Sequence, residues 1–238
     1  MPRTDLTWRS RLDEGFYTSQ VEAPDNPPVR TFLPIGYEPN YPYPLIVFLH
    51  GHGGNEEQVL RLAPRVSRRN YVAIGLRGPH LIGTRPDGRG CYGWGDPVFG
   101  GTLIQDYLVR AVEQTRRHYH VHSERIYLAG VHEGATLAYR LALAMPNRVA
   151  GVIALNGIMP KGGPLFRYPE VRHLTAWIGH GIANSVVPLS LARGDYRLLY
   201  TAGVDVRMQT YPTTHRLHPD MLRDMNRWVM SQVTRDEW

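Results

Sequence analysis

The pentapeptide Gly130-Val131-His132-Glu133-Gly134 sets an imidazole between two glycines, each two residues away. That spacing suits a sharp strand-to-helix elbow, where the flanking positions have no room for a side chain and glycine is a steric demand. The central residue of such an elbow is held at positive φ, which histidine tolerates better than most bulky residues. A hydroxyl at this place would be a nucleophile, and His132 has none. Three further clusters carry polar chemistry. His50-Gly51-His52-Gly53-Gly54 is a glycine loop able to turn backbone N–H groups towards a developing negative oxygen. Asn184 stands in the stretch His180–Pro188, and His215 closes Tyr211-Pro212-Thr213-Thr214-His215.

Each cluster follows an apolar run. Leu45–His50 is unbroken, as expected for a strand buried on both faces of a parallel sheet. Further strands are predicted at Tyr71–Leu76, Arg125–Ala129, Val149–Leu155, Leu174–Gly179 and Val206–Tyr211. Helical patterns lie between them at Glu56–Arg69, Leu103–His118, Gly134–Met145, Leu189–Ala202 and Pro219–Val233. Six buried strands alternating with helices predict an α/β fold, a doubly wound, mostly parallel sheet with helices on both faces. Functional residues in such sheets sit beyond the carboxyl ends of the strands. The whole chain, 1–238, is read as one domain with a polar extension over about 1–28 and a glycine-rich loop, 78–101, that overhangs the cleft. The polar, proline-punctuated start holds one short strand candidate, Val29–Leu33.

Composition narrows the function classes. Hydrophobic residues make up 42% and charged residues 20%, so a globular core is expected. No apolar run reaches the length of a membrane span, and the start has no apolar h-region, so neither a membrane partner nor a signal peptide is expected. The lone Cys91 permits no internal disulfide and suits a cytoplasmic setting. The net charge of +6 is almost all arginine and scattered along the chain; only Arg65/Arg68/Arg69 and Arg116/Arg117 cluster, late in helical patterns. A solvated face fits this better than a nucleic-acid surface.

The glycine loop, the elbow, the acid position and the terminal histidine, in that chain order, resemble the carboxylesterase/phospholipase and dienelactone-hydrolase-like branch of the α/β-hydrolase fold. The resemblance spans roughly Pro44 to Val233. It implies that His52 and Glu133 supply oxyanion-hole amides, that His132 occupies the nucleophile position, Asn184 the acid position and His215 the general-base position. Only His215 keeps the family's residue type. Glu133 is expected to face solvent at the helix N-terminus. Tyr92, Trp94 and Phe99, with Ile158 and Met159, are candidates for an apolar ligand pocket.

The departure at two positions bears on function. Loss of the serine costs about as much as loss of a whole triad, and aspartate to asparagine alone about 10⁴-fold. The reading that follows is a degenerate, non-classical hydrolase that binds a small acyl or aromatic ligand, with no cofactor and no metal. Alternatives stay open: a weak ester hydrolase using His132 or His215 as base or nucleophile, a metal site with His132 facing His215 near His52, or an interaction scaffold.

Overall fold

The computed structural model describes residues 15–21, 27–95, 101–160 and 171–235. Its centre is β3 (Tyr43–Leu49), buried at every position as its unbroken apolar sequence requires. Around it lies an eight-stranded sheet in the order β1-β2-β4-β3-β7-β8-β9-β10. The partners are β1 (Gly15–Gln20), β2 (Pro28–Leu33), β4 (Val72–Leu76), β7 (Val121–Val131), β8 (Gly151–Leu155), β9 (Thr175–Gly181) and β10 (Asp205–Tyr211). From β4 to β10 all pairings are parallel; β2 joins β4, and β1 joins β2, antiparallel.

Alternation along the strands divides the core. Leu45, Val47 and Leu49 point to one face, with α3 (Gly101–His118), α4 (Glu133–Ala144) and α5 (Leu189–Thr201) over it. Ile46 and Phe48 point to the other, covered by α1 (Glu56–Leu60), α2 (Ala63–Val66) and α6 (Pro219–Arg235). The fold is therefore the mostly parallel, two-sided α/β sheet that the strand pattern implied. From β3 the chain runs outward to β4, then returns to the opposite side of β3 as β7. The order reverses there, and the crevice beyond the ends of β3 and β7 is where such sheets bind ligands.

Three expectations change. The helix expected over Glu56–Arg69 is two short helices, because Pro64 has no N–H to continue the ladder from α1 and instead sits in the first turn of α2. Arg68 and Arg69 consequently lie past the helix end rather than in its last turn. The loop 78–101 contains a hairpin, β5 (His80–Thr84) with β6 (Gly90–Gly93). Finally, β1 falls inside the stretch read as an extension. It is an edge strand with mostly exposed side chains, so it carries little apolar signal. Among the described residues no helix is long and apolar enough to cross a membrane.

Candidate functional site

The elbow forms where expected. β7 ends at Val131, α4 begins at Glu133, and His132 between them has φ 56° and ψ −116°. A β-carbon at Gly130 would overlap the carbonyl of Gly134, and one at Gly134 would overlap the carbonyls of Leu49 and His50. Both glycines are thus demanded by the close approach of β7, α4 and the end of β3. Gly157 is required in the same way, under the carbonyl of His132.

His132 and His215 come together, but not as two rings joined edge to edge. Their planes stack at 3.6 Å between centroids and 17°. The His132 Nε2 instead bonds the backbone carbonyl of His215 at 2.8 Å. A carbonyl only accepts, so His132 carries its proton on Nε2 and a lone pair on Nδ1. Nδ1 lies beside the glycine loop, 3.2 Å from where a β-carbon on Gly51 would stand. Stacked rings keep their lone pairs in nearly parallel planes and cannot aim them at one ion. The arrangement expected for a metal is therefore corrected, and no group of three or more potential ligands occurs among the described residues.

Asn184 reaches His215. Its Oδ1 accepts from the amides of Val186 at 3.1 Å and Val187 at 3.0 Å, which fixes the oxygen's direction; the same atom lies 3.1 Å from Nδ1 of His215. His215 therefore donates from Nδ1 and keeps a lone pair on Nε2, the tautomer of a general base. What is missing is negative charge. Burial, then the neighbouring His132, then His180 lower the pKa of His215 to about 4. Burial also lowers that of His132. Both imidazoles are neutral at physiological pH.

The structure brings in residues that the sequence reading passed over. Asn156, fully buried at the end of β8 with φ 54°, accepts from the Gly181 amide at 2.8 Å. Its Nδ2 donates to the carbonyls of His215 at 3.2 Å and Arg216 at 3.0 Å. It clasps the base loop to the acid loop. Its signal was available: an asparagine-glycine pair at the end of a buried strand, where a left-handed residue is expected. His180, at the end of β9, bonds the Val187 carbonyl through Nε2 at 2.8 Å and so braces the Asn184 turn.

The glycine loop is pinned from above. The Gly53 amide donates to Tyr92, the Tyr92 amide donates to Gly54, and His50 Nε2 accepts from the Gly78 amide at 2.9 Å. Trp94 is buried, stacks on His50 and donates from its indole to the His50 carbonyl. His52 is exposed on this loop with its Nδ1 3.5 Å from Oε2 of Glu133. Glu133 is therefore not turned freely to solvent: Oε2 is buried and makes no hydrogen bond. The positive helix N-terminus favours a carboxylate at this place. As the first residue of α4, Glu133 also has a backbone amide with no intrahelical acceptor.

The aromatic candidates divide. Trp94 lines a cavity of about 60 Å³ beside the elbow, with Ile104, Leu137, Leu141 and Pro160. Tyr92 does not; its ring covers the Arg77 guanidinium at 4.7 Å, and Arg77 is itself held by buried Glu56. Met159 is core, anchored through its amide to Asp195, and Ile158 offers its carbonyl to Thr136. Phe99 lies outside the described residues. Cys91 is half-exposed on β6.

Comparison with known proteins agrees with the fold. The model of the phospholipase/carboxylesterase family matches residues 38–232. Acyl-protein thioesterase 1 of Saccharomyces cerevisiae is 23% identical over 211 residues, which span 79% of this chain and 92% of that protein. The carboxylesterase of Mesorhizobium loti superposes with a TM-score of 0.69 at 19% identity, over 90% of this chain and 98% of the other. The Bacillus cereus carboxylesterase gives 0.66 at 19% identity, over 96% and 99%.

Proposed function

Because the chain belongs to the phospholipase/carboxylesterase family of the α/β-hydrolase fold, we propose that it is a hydrolase-fold protein that has lost serine chemistry and binds a small acyl or aromatic ligand at the cleft. One observation carries the reading. The His132 ring lies against His215 at 3.6 Å, in the space where a substrate carbonyl would have to meet a hydroxyl and its base. Around that blocked centre the supporting parts persist: the elbow glycines, the Asn184–His215 hydrogen bond and the unpaired Glu133 amide. An apolar cavity beside the elbow supports retained ligand binding over a purely structural role. The test is a pair of measurements. A serine-directed fluorophosphonate should leave residues 130–134 unmodified by mass spectrometry, while short-chain acyl or aryl esters should bind without turnover. A stoichiometric adduct on the elbow would overturn the reading.

A second reading has its own observation. With its proton on Nε2, His132 offers the Nδ1 lone pair beside the glycine loop. A neutral imidazole there could attack an activated ester, expelling a phenolate and forming an acyl-imidazolium that keeps the Nε2 proton; water then hydrolyses it to the carboxylic acid and neutral His132, and the proton released goes to the phenolate. A transient acyl adduct on His132 with p-nitrophenyl acetate, absent in His132→Phe, would favour it over the first.

A further inference from the structure

The sheet ends at β10, and among the described residues no strand pairs with its outer edge. The Ile182 amide donates to the Tyr211 carbonyl, so Tyr211 turns its backbone towards β9. Direction alternates along a strand, and Asp205, Arg207 and Gln209 therefore face β9 as well, in the parallel register with Thr175–Gly181. The amides and carbonyls of Val206, Met208 and Thr210 point the other way, out of the sheet. A groove of about 890 Å³ lies along this edge, lined by 206–210 in unbroken succession. Side chains alternate between faces, so lining by consecutive residues means that the groove follows the backbone edge and not one face. Buried Trp177 and Trp228 line it, with α5 and α6 on either side.

The charges around the groove are unbalanced. Three arginines from three elements line it: Arg193 on α5, Arg207 on β10 and Arg227 on α6. Asp224 is the one carboxylate in the lining, and it is engaged by the Tyr211 hydroxyl at 2.9 Å and by Arg227 at 2.8 Å. Asp205 opens the strand outside the lining. Arg193 and Arg207 are exposed, and no hydrogen bond or ion pair among the described residues holds either. Such an edge resists pairing with a second copy, because another β10 would bring the same arginines to it. The same charge favours an acidic strand.

We propose that the outer edge of β10 is a docking site for an extended acidic peptide segment of a partner protein, which adds a strand to the sheet. Val206, Met208 and Thr210 supply the main-chain hydrogen bonds. Val206 belongs to the core under α5 and Tyr211 to the core under α6, so Arg207, which shares a face with Tyr211, stands on the α6 side. Adjacent residues of an added strand face opposite helices, and carboxylates at two neighbouring positions meet Arg193 on one side and Arg207 on the other. At about 3.3 Å per residue the edge over 206–210 is about 17 Å long, which sets the segment at about five to seven residues.

Fluorescence anisotropy tests this with a dye-labelled heptapeptide, Thr-Glu-Glu-Val-Glu-Glu-Thr, its lysine counterpart, and the acidic peptide N-methylated at every amide. The wild-type protein should bind the acidic peptide and not the lysine one. N-methylation keeps the charge and removes the pairing, and should weaken binding at least about 10-fold. Arg193→Gln with Arg207→Gln should weaken it about 2- to 25-fold at low ionic strength, as two exposed ion pairs allow. Thr210→Pro deletes an outward amide without touching the ladder to β9, and should weaken binding with both arginines in place. No binding of the acidic peptide at millimolar concentration overturns the proposal. Equal binding of the N-methylated form also overturns it, because charge alone then acts; both results come from the wild type and need no variant to fold. A single-stranded oligothymidine bound as tightly would identify a general polyanion surface, and self-association removed by Thr210→Pro would identify a second copy as the occupant; either result overturns it.

Discussion

Restoring the missing chemistry tests the site most severely. The perturbation is His132→Ser together with Asn184→Asp. Replacing the imidazole removes one hydrogen bond to the His215 carbonyl, about 1 kcal/mol, but that carbonyl keeps its bond from Asn156. It also clears the ring stacked on His215, so a serine hydroxyl and the Nε2 lone pair can meet. The Asn184 side chain already turns its oxygen to His215, held there by the Val186 and Val187 amides, so aspartate inherits the position and the tautomer is already correct. What aspartate adds is charge. At about 4 Å and an effective dielectric constant near 20, a carboxylate stabilises an imidazolium by about 4 kcal/mol, or about 10³ in rate. Serine alone therefore lacks that factor, and aspartate alone has no nucleophile to assist. Each single variant should stay within about 10-fold of wild type, and the double should exceed it by at least about 10³-fold, because these residues act as a unit. Initial rates of p-nitrophenyl butyrate hydrolysis, with circular dichroism to confirm folding, decide the matter. A folded double variant no faster than wild type would show that the oxyanion loop or the cleft has diverged as well, and the argument from the preserved elbow would fail.

Acid should weaken the fold through the same pair of rings. With the folded pKa of His215 at about 4 against an ordinary 6.5, its contribution is complete above pH 6.5 and is lost as the pH falls towards 4. The face value of that difference is screened by solvent at the cleft, leaving about 1–2 kcal/mol. Urea unfolding at pH 7 and pH 4.5, compared with His215→Gln, checks it; an unchanged pH dependence in the variant would contradict the assignment. Gly134→Ala should cost at least about 2 kcal/mol and lower Tm by about 4–8 °C, since its β-carbon would meet the Leu49 and His50 carbonyls. Gly194→Ala, on the exposed face of α5 with open space around it, should instead raise stability by about 0.5–1 kcal/mol. Asn156→Ala should cost about 2–4 kcal/mol, because it strips partners from the Gly181 amide and the Arg216 carbonyl together. A loss below about 1 kcal/mol in chemical denaturation would mean that water replaces the clasp.

The parts of this protein legible in one dimension are those that a short stretch of chain determines for itself. Leu45–Leu49 is apolar without interruption because both faces of β3 are covered, and no other environment in a chain of this composition asks for that run. Gly130 announces the elbow because the close approach that demands it, to Gly134, is set within five residues, whereas Gly134 is itself demanded by Leu49 and His50 at the end of β3. That Asn184 and His215 follow successive strands, β9 and β10, was legible in the order of the apolar runs. The tertiary structure alone decided how these groups meet. That His132 stacks on His215 and bonds its backbone, rather than presenting nitrogen to nitrogen, depends on where the loop after β10 is held by Asn156 from β8. That Tyr92 covers Arg77 while Trp94 lines the cavity depends on the register of a hairpin whose alternation carries little apolar pattern. β1 escaped notice because an edge strand is stabilised by pairing with β2 and not by burial of its own side chains. Glu133 and Arg140 share one cavity only because α4 packs that face towards Trp94 and α3. Partners distant in sequence are chosen by packing, and packing leaves no mark on the residues between them.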